Sequence, residues 1–159
     1  MVTPRGLRAP ELALCGTFDK SIDIWSFGCL LFELITAQPL FSISGGDNPD
    51  QENDDHLLQL SNILGPLPDH LYALWIRSSR YFTADRVQFN SFLEDVPEGT
   101  DLLTAKAEPL EQFFDRAKPE GMSDEEAKAV KALLRRILQY EPAKRPTLSE
   151  ILKDPWFAN

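Results

Sequence analysis

The segment Lys20 to Thr36, KSIDIWSFGCLLFELIT, limits this chain more than any other. At helical pitch Ile22, Ile24, Trp25, Phe27, Leu30, Leu31, Leu34 and Ile35 point in nearly every direction, so the expectation is a central helix with no broad face left to water. It does not read as a membrane span, because Asp23, Ser26 and Glu33 interrupt it and a span needs about 20 largely apolar residues. Ser21 or Asp19 is placed to cap its start, and Asp23 lies in the first turn, where exposed N–H groups favour a carboxylate. Gly28 in mid-helix costs about 1 kcal/mol against Ala, which points to close approach by a neighbouring segment.

With 159 residues, 43% of them hydrophobic, the chain is sized for one core, so one domain or part of one is expected. A net charge of −9 argues against nucleic acid and anionic membranes as partners and favours a basic partner if the acids cluster. A merely solvated acidic surface is the plainer alternative. Cys15 and Cys29 have no metal or redox spacing, which fits a reduced, intracellular chain, cytoplasmic or nuclear. His56 and His70 lack a second ligand at metal spacing and read as surface or capping residues. No signal peptide, transmembrane run, repeat or low-complexity tract is visible in the sequence.

The remaining segments fall into helices and turns. Thr3 to Arg8 is a turn-rich entry with two basic side chains, and Ala9-Pro10-Glu11-Leu12 reads as a short helical turn. Ala37 to Asn53 reads as a polar loop, with a sharp turn at Gly45-Gly46. Asp54 to Leu64 is a helix by its spacing of Leu57, Leu60, Ile63 and Leu64, stopped at Gly65-Pro66. Pro68 to Trp75 is a further short helix, and Arg77 to Ala107 has no sustained period. Pro109 to Ala117 is amphipathic, with Leu110, Phe113 and Phe114 inward. Ser123 with Glu126 has capping-box spacing and opens a helix through Leu138, whose inner face is Ala127, Val130, Leu133, Leu134, Ile137 and Leu138. Thr147 caps a last helix, Leu148 to Lys153.

Three motifs carry a resemblance. Asp23-Ile24-Trp25-Ser26-Phe27-Gly28 resembles the D-x-W-S-x-G that opens the F helix in the large lobe of eukaryotic protein kinases. Arg8-Ala9-Pro10-Glu11 resembles the R-A-P-E closing the activation segment. Pro142 to Thr147, followed by Asp154-Pro155-Trp156-Phe157, is similar to the end of a kinase domain. The fold implied is mainly α: a partial protein-kinase-like large (C-terminal) lobe over residues 1–159, helices F to I, with a long insert between helices G and H. Ala9, Pro10, Glu11, Asp23, Trp25, Gly28 and Arg145 are then its structural motif positions, and Glu11 is expected to pair with Arg145. The substrate-side loop implied is Pro4, Arg5, Gly6, Leu7 and Arg8, which would receive the residue after the phosphorylated one. Pro4 stands where the CMGC group of kinases has Thr, and Leu7 where it has Tyr.

Within that group the likeness is to the SR-protein kinase (SRPK) family and its fungal relatives, in Asp23 to Phe41, Asp54-Asp55-His56, Leu64 to Pro68, Ser123 to Ala127 and Leu138 to Phe157. Members hold Arg/Ser-rich substrates with acids in a groove of helix G and the insert. Asp55 matches one of these acids, whereas Gln38 and Asn62 replace two others.

A kinase also needs phosphate-covering glycines, a phosphate-binding Lys, an H-R-D loop and a D-F-G Asp for magnesium. None of these motifs occurs in this sequence. The expectation is the C-terminal, substrate-side part of a Ser/Thr kinase domain whose upstream half is missing, inactive by itself, with ATP and magnesium belonging to an intact parent and no catalytic, cofactor or metal residue here. The alternative from another class is a non-catalytic helical binding module or pseudokinase remnant.

Overall fold

The computed structural model describes residues 4–14, 18–43, 48–88 and 108–157. Among them the regular structure is helical, and the single β feature is an isolated bridge between Phe82 and Gln88. The helices are α1 (Pro10–Leu14), α2 (Ser21–Thr36), α3 (Pro49–Leu64), α4 (Asp69–Tyr72), α5 (Leu110–Ala117), α6 (Asp124–Ile137) and α7 (Leu148–Ile151). The expected turn at Gly45-Gly46, residues 89–107 of the expected insert, Thr3 and Cys15 lie outside the described residues.

Helix α2 is the hub, packed on α5, α6, the 3-10 turn Arg5–Leu7 and the 3-10 turn Pro142–Lys144. Its start is held by Asp19, whose carboxylate accepts the Ser21 N–H at 2.8 Å. Ile22, Trp25, Gly28, Cys29, Leu31 and Phe32 are buried. The helix is not enclosed all round, however. Asp23, Leu30, Glu33 and Leu34 form an exposed stripe at roughly i, i+7, i+10 and i+11, and Leu34 is 82% exposed. A high apolar content therefore did not mean burial on every side.

The missing side chain of Gly28 has a structural cause. A Cβ there would sit 2.6 Å from Ile137 Cγ2 and 2.9 Å from Leu138 Cδ2, so α6 crosses α2 where glycine leaves room. The inner face of α6 is the predicted stripe: Ala127, Val130, Leu133, Leu134, Ile137 and Leu138 are all buried. Phe32 extends the core towards α5, with ring centroids 4.9 Å from Phe113 and 6.0 Å from Phe114.

Helix α3 begins five residues before its expected start. Asn48 accepts the Asp50 N–H at 3.0 Å, Pro49 occupies the first helical position, and Asp50 and Glu52 face the N-terminal dipole. Part of the predicted loop is thus helix, and Asp54 and Asp55 lie one turn inside it. Asp54 is 1% exposed. Its carboxylate accepts Trp75 Nε1–H and Arg77 Nε–H, both at 2.7 Å, and the Tyr81 hydroxyl at 3.0 Å. This polar centre binds the segment after α4 to α3, and burial, with the hydrogen bond to Asp54, pushes the Tyr81 hydroxyl up to about 12.

The late helices follow their predicted caps. Ser123 Oγ accepts the Glu126 N–H, and Thr147 and Glu150 cap one another reciprocally. Arg135 joins α5, α6 and α3, donating to Glu111 at 2.7 and 2.8 Å and to the Leu64 carbonyl at 2.7 Å.

Candidate functional site

The loop Pro4–Arg8 is fixed along its length by α2, α3 and the segment after α2. The Ser26 hydroxyl donates to the Leu7 carbonyl at 2.9 Å. Arg5 donates through Nη1 to Glu52 Oε1. Gly6 lies so close to the Phe41 backbone that a Cβ would fall 2.3 Å from the Phe41 carbonyl oxygen. Only a residue without a side chain fits there. Pro4 is exposed at the loop's edge, and Arg5, Gly6, Leu7 and Arg8 are half-buried.

Beyond the loop, Ala9, Pro10 and Glu11 are buried at the start of α1. Arg145 donates from Nη1 and Nη2 to the two oxygens of Glu11, at 2.7 and 2.8 Å. Its Nε donates to the Gln139 carbonyl at 2.9 Å, and the guanidinium carbon lies 5.0 Å from the Trp25 ring centroid. Trp25 is fully buried and stacks on Phe41 at 6.3 Å. Five of the predicted motif positions, Ala9, Pro10, Glu11, Trp25 and Arg145, therefore converge, Gly28 lies one turn further along α2, and Asp23 stands apart on the exposed face.

His56 does not take a surface or capping role. It is 3% exposed, stacked on Phe41 at 5.6 Å and set beside the backbone of Arg5, with Nε2 unpartnered among the described residues. Burial, reinforced by the Arg8 charge, holds its pKa down at about 4, so the ring is neutral at pH 7. Sequence reasoning did not single out Glu52, and it gave neither Asp54 nor His56 a buried role. Asn48-Pro49 and an acidic first turn were the available signal, since extending the helix back to Pro49 puts Glu52 and His56 one turn apart on one face.

Asp55 is half-buried and accepts from Gln59 Nε2 at 3.2 Å. Gln59 in turn exchanges bonds of 2.9 and 2.8 Å with the Ser42 backbone. A shallow cleft of about 260 Å³ opens beside it, lined by Pro39, Leu40, Gln59, Asn62, Glu108 and Phe113 among others, with Asp55 outside the lining. Glu108 is engaged by Arg116 at 2.8 and 2.9 Å, which lowers its pKa. Among the described residues no group of three or more His, Cys, Asp or Glu is placed to hold a metal ion, and no helix is long and apolar enough to cross a membrane.

Comparison with known proteins places the chain in a family. Residues 1–157 match the family described as protein kinase domain. The chain is 32% identical to the dual specificity protein kinase CLK1 of Mus musculus over 157 residues, covering 99% of this chain and 29% of that protein. It is 32% identical to the serine/threonine-protein kinase SRPK of Physarum polycephalum over 169 residues, and 31% identical to the dual specificity protein kinase lkh1 of Schizosaccharomyces pombe over 159. It covers 34% and 21% of those two, so it spans about a third or less of each relative's length. The mainly helical fold, the ordered motifs and these matches together assign the chain to the protein kinase domain family, among relatives of the CLK and SRPK type.

Proposed function

We propose that this chain is the substrate-side part of a Ser/Thr protein kinase domain, and that it neither binds ATP nor transfers phosphate by itself. The observation that carries this reading is the fixing of Pro4–Arg8 between α2 and α3, with the Glu11–Arg145 pair tying the following turn to the late helices. A loop held from several sides presents a defined backbone to an incoming protein segment, at little ordering cost on binding. Pro4, Arg5, Gly6, Leu7 and Arg8 would meet the substrate next to its accepting hydroxyl.

The residues present do not fit ATP and magnesium. The sequence has neither the glycine-rich phosphate loop nor the H-R-D and D-F-G acids, and the described side chains offer no carboxylate cluster for a divalent ion. ATP, magnesium and the missing catalytic groups belong to an upstream half of an intact parent, acting inside the cell, in cytoplasm or nucleus. Its substrate would be a protein, and Asp55 beside the Gln59 cleft supports a basic, Arg/Ser-rich one only weakly, because Gln38 and Asn62 carry no charge.

A second reading is favoured by one observation: the described helices already share one continuous buried cluster, from Ala9 through Ile151. A chain with such a core can serve as a non-catalytic binding module. Incubation of the purified chain with labelled ATP, magnesium and a basic Ser-containing peptide is expected to give no transfer, and coexpression with the upstream half of a CLK- or SRPK-type kinase is expected to restore it. Transfer by the pure chain would overturn the inactive reading. No association with any upstream half would give the binding-module reading first place.

A further inference from the structure

Glu52 is 5% exposed, sits in the first turns of α3, and faces the Arg5 guanidinium, whose side chain is 40% exposed. A carboxylate this enclosed needs a hydrogen-bonding or charged partner within reach. One turn along α3, His56 lies beside the Arg5 backbone, and the next loop residue, Gly6, closely approaches the Phe41 carbonyl. The Arg5 charge is thereby spent inside the chain, on a helix that no motif of the sequence connects with this loop.

The geometry points to Glu52 as a positioning residue for the loop Pro4–Arg8: through Arg5 it sets where the loop backbone stands against α3, and so which substrate backbone the loop accepts. The inference rests on the kinase reading for the word substrate, and on the contact between Glu52 and Arg5 alone for the latch. Arg5 serves as an internal tether, and a substrate anion placed beside it has to compete with a carboxylate already in place.

Hydrogen exchange on the full chain tests this. The Leu7 and Arg8 N–H groups bond the carbonyls of Pro4 and Arg5 at 3.0 and 3.1 Å and report on the loop, while the buried Leu134 amide reports on α6. Glu52→Gln and Arg5→Gln are each expected to speed exchange at Leu7 and Arg8 about tenfold and to leave Leu134 unchanged. The double variant is expected to exchange no faster than Glu52→Gln, because Arg5→Gln removes a contact that Glu52→Gln has already removed. Unchanged loop exchange, or additive effects, would overturn the latch. If Glu52→Gln unfolds the chain, as faster exchange at Leu134 would reveal, Arg5→Gln alone decides by the same criterion. Phosphate transfer plays no part in the readout, so a failed latch leaves the kinase reading standing and a failed kinase reading leaves the latch.

Discussion

Arg145 grips both carboxylate oxygens of Glu11 across 134 positions of sequence, and both side chains are almost wholly buried. The fork-to-fork geometry makes the pair directional as well as attractive, so the turn after the Pro4–Arg8 loop cannot rotate without breaking two charge-assisted bonds. The same guanidinium reaches the Gln139 carbonyl and lies against Trp25, so loop, central helix and late helices meet at one side chain.

Arg145→Ala is expected to destabilise the chain by about 3–5 kcal/mol, because it strands a buried carboxylate. Glu11→Ala is expected to cost nearly as much, and the double variant less than the sum. Denaturant melts of the four proteins check this, and additive losses would show that the two residues act separately.

Ala37 closes α2 in the left-handed region, at φ 54°, with its N–H on the Glu33 carbonyl at 2.8 Å. That conformation suits glycine, and Ala37 is exposed and makes no core contact. Ala37→Gly is expected to raise stability by about 0.5–1 kcal/mol in thermal melts. A loss would mean that the unfolded chain gains more freedom than the cap gains relief.

Gly28→Ala sets helix propensity against space. Propensity favours the alanine by about 1 kcal/mol, while overpacking against Ile137 and Leu138 costs about 1–3 kcal/mol, so a net loss is expected. Circular dichroism melts decide the sign. A gain would mean that the two side chains yield without disturbing α6.

His56 makes stability depend on pH. Its pKa is about 4 in the folded chain against 6.5 ordinarily, so between these values the unfolded chain binds the extra proton and stability falls as pH falls. The neutral ring's contribution is complete above pH 6.5 and is lost progressively down to about pH 4, amounting to about 3 kcal/mol. Below that the His56 contribution levels off. His56→Phe, which keeps the stack on Phe41, is expected to flatten the stability profile in this window. An unchanged slope would assign the effect to other groups.

The fold was legible where apolar spacing and caps agree. The stripe of α6, the Ser123 and Thr147 caps and the close approach at Gly28 all follow from residue type and period. Helix α3 reads short in sequence because its first turn is polar throughout, and hydrophobic period is silent there even though Asn48-Pro49 marks the start. The loop's anchors were hidden for a related reason. Glu52 and His56 read as surface residues until a distant segment buries them, and nothing local to α3 announces Arg5. Which residues of α2 face water is not set by local pattern, since Leu30 and Leu34 look the same in sequence whether or not a neighbour covers them; an exposed side was expected only from the kinase resemblance, whose upstream half would cover it.

That stripe supplies the last prediction. Leu34 is 82% exposed and Leu30 42%, and Phe27 lies next to Phe157 at 6.4 Å, so large apolar side chains line one side of the hub helix. In the proposed parent this side would meet the upstream half of the domain, with Asp23 at its edge. Exposure of such a patch costs roughly 25 cal/mol for each Å² left in water and favours self-association. The chain alone is expected to bind a hydrophobic dye and to associate with rising concentration. Leu34→Glu is expected to lower both signals with little change in melting temperature, because the side chain has no core contact to lose. The same substitution is expected to weaken capture of a coexpressed upstream half, since a charge would then be buried there. A dye-silent monomer would mean that the stripe needs no cover. Unweakened capture by Leu34→Glu would mean that the upstream half, if it docks, does so elsewhere on the chain.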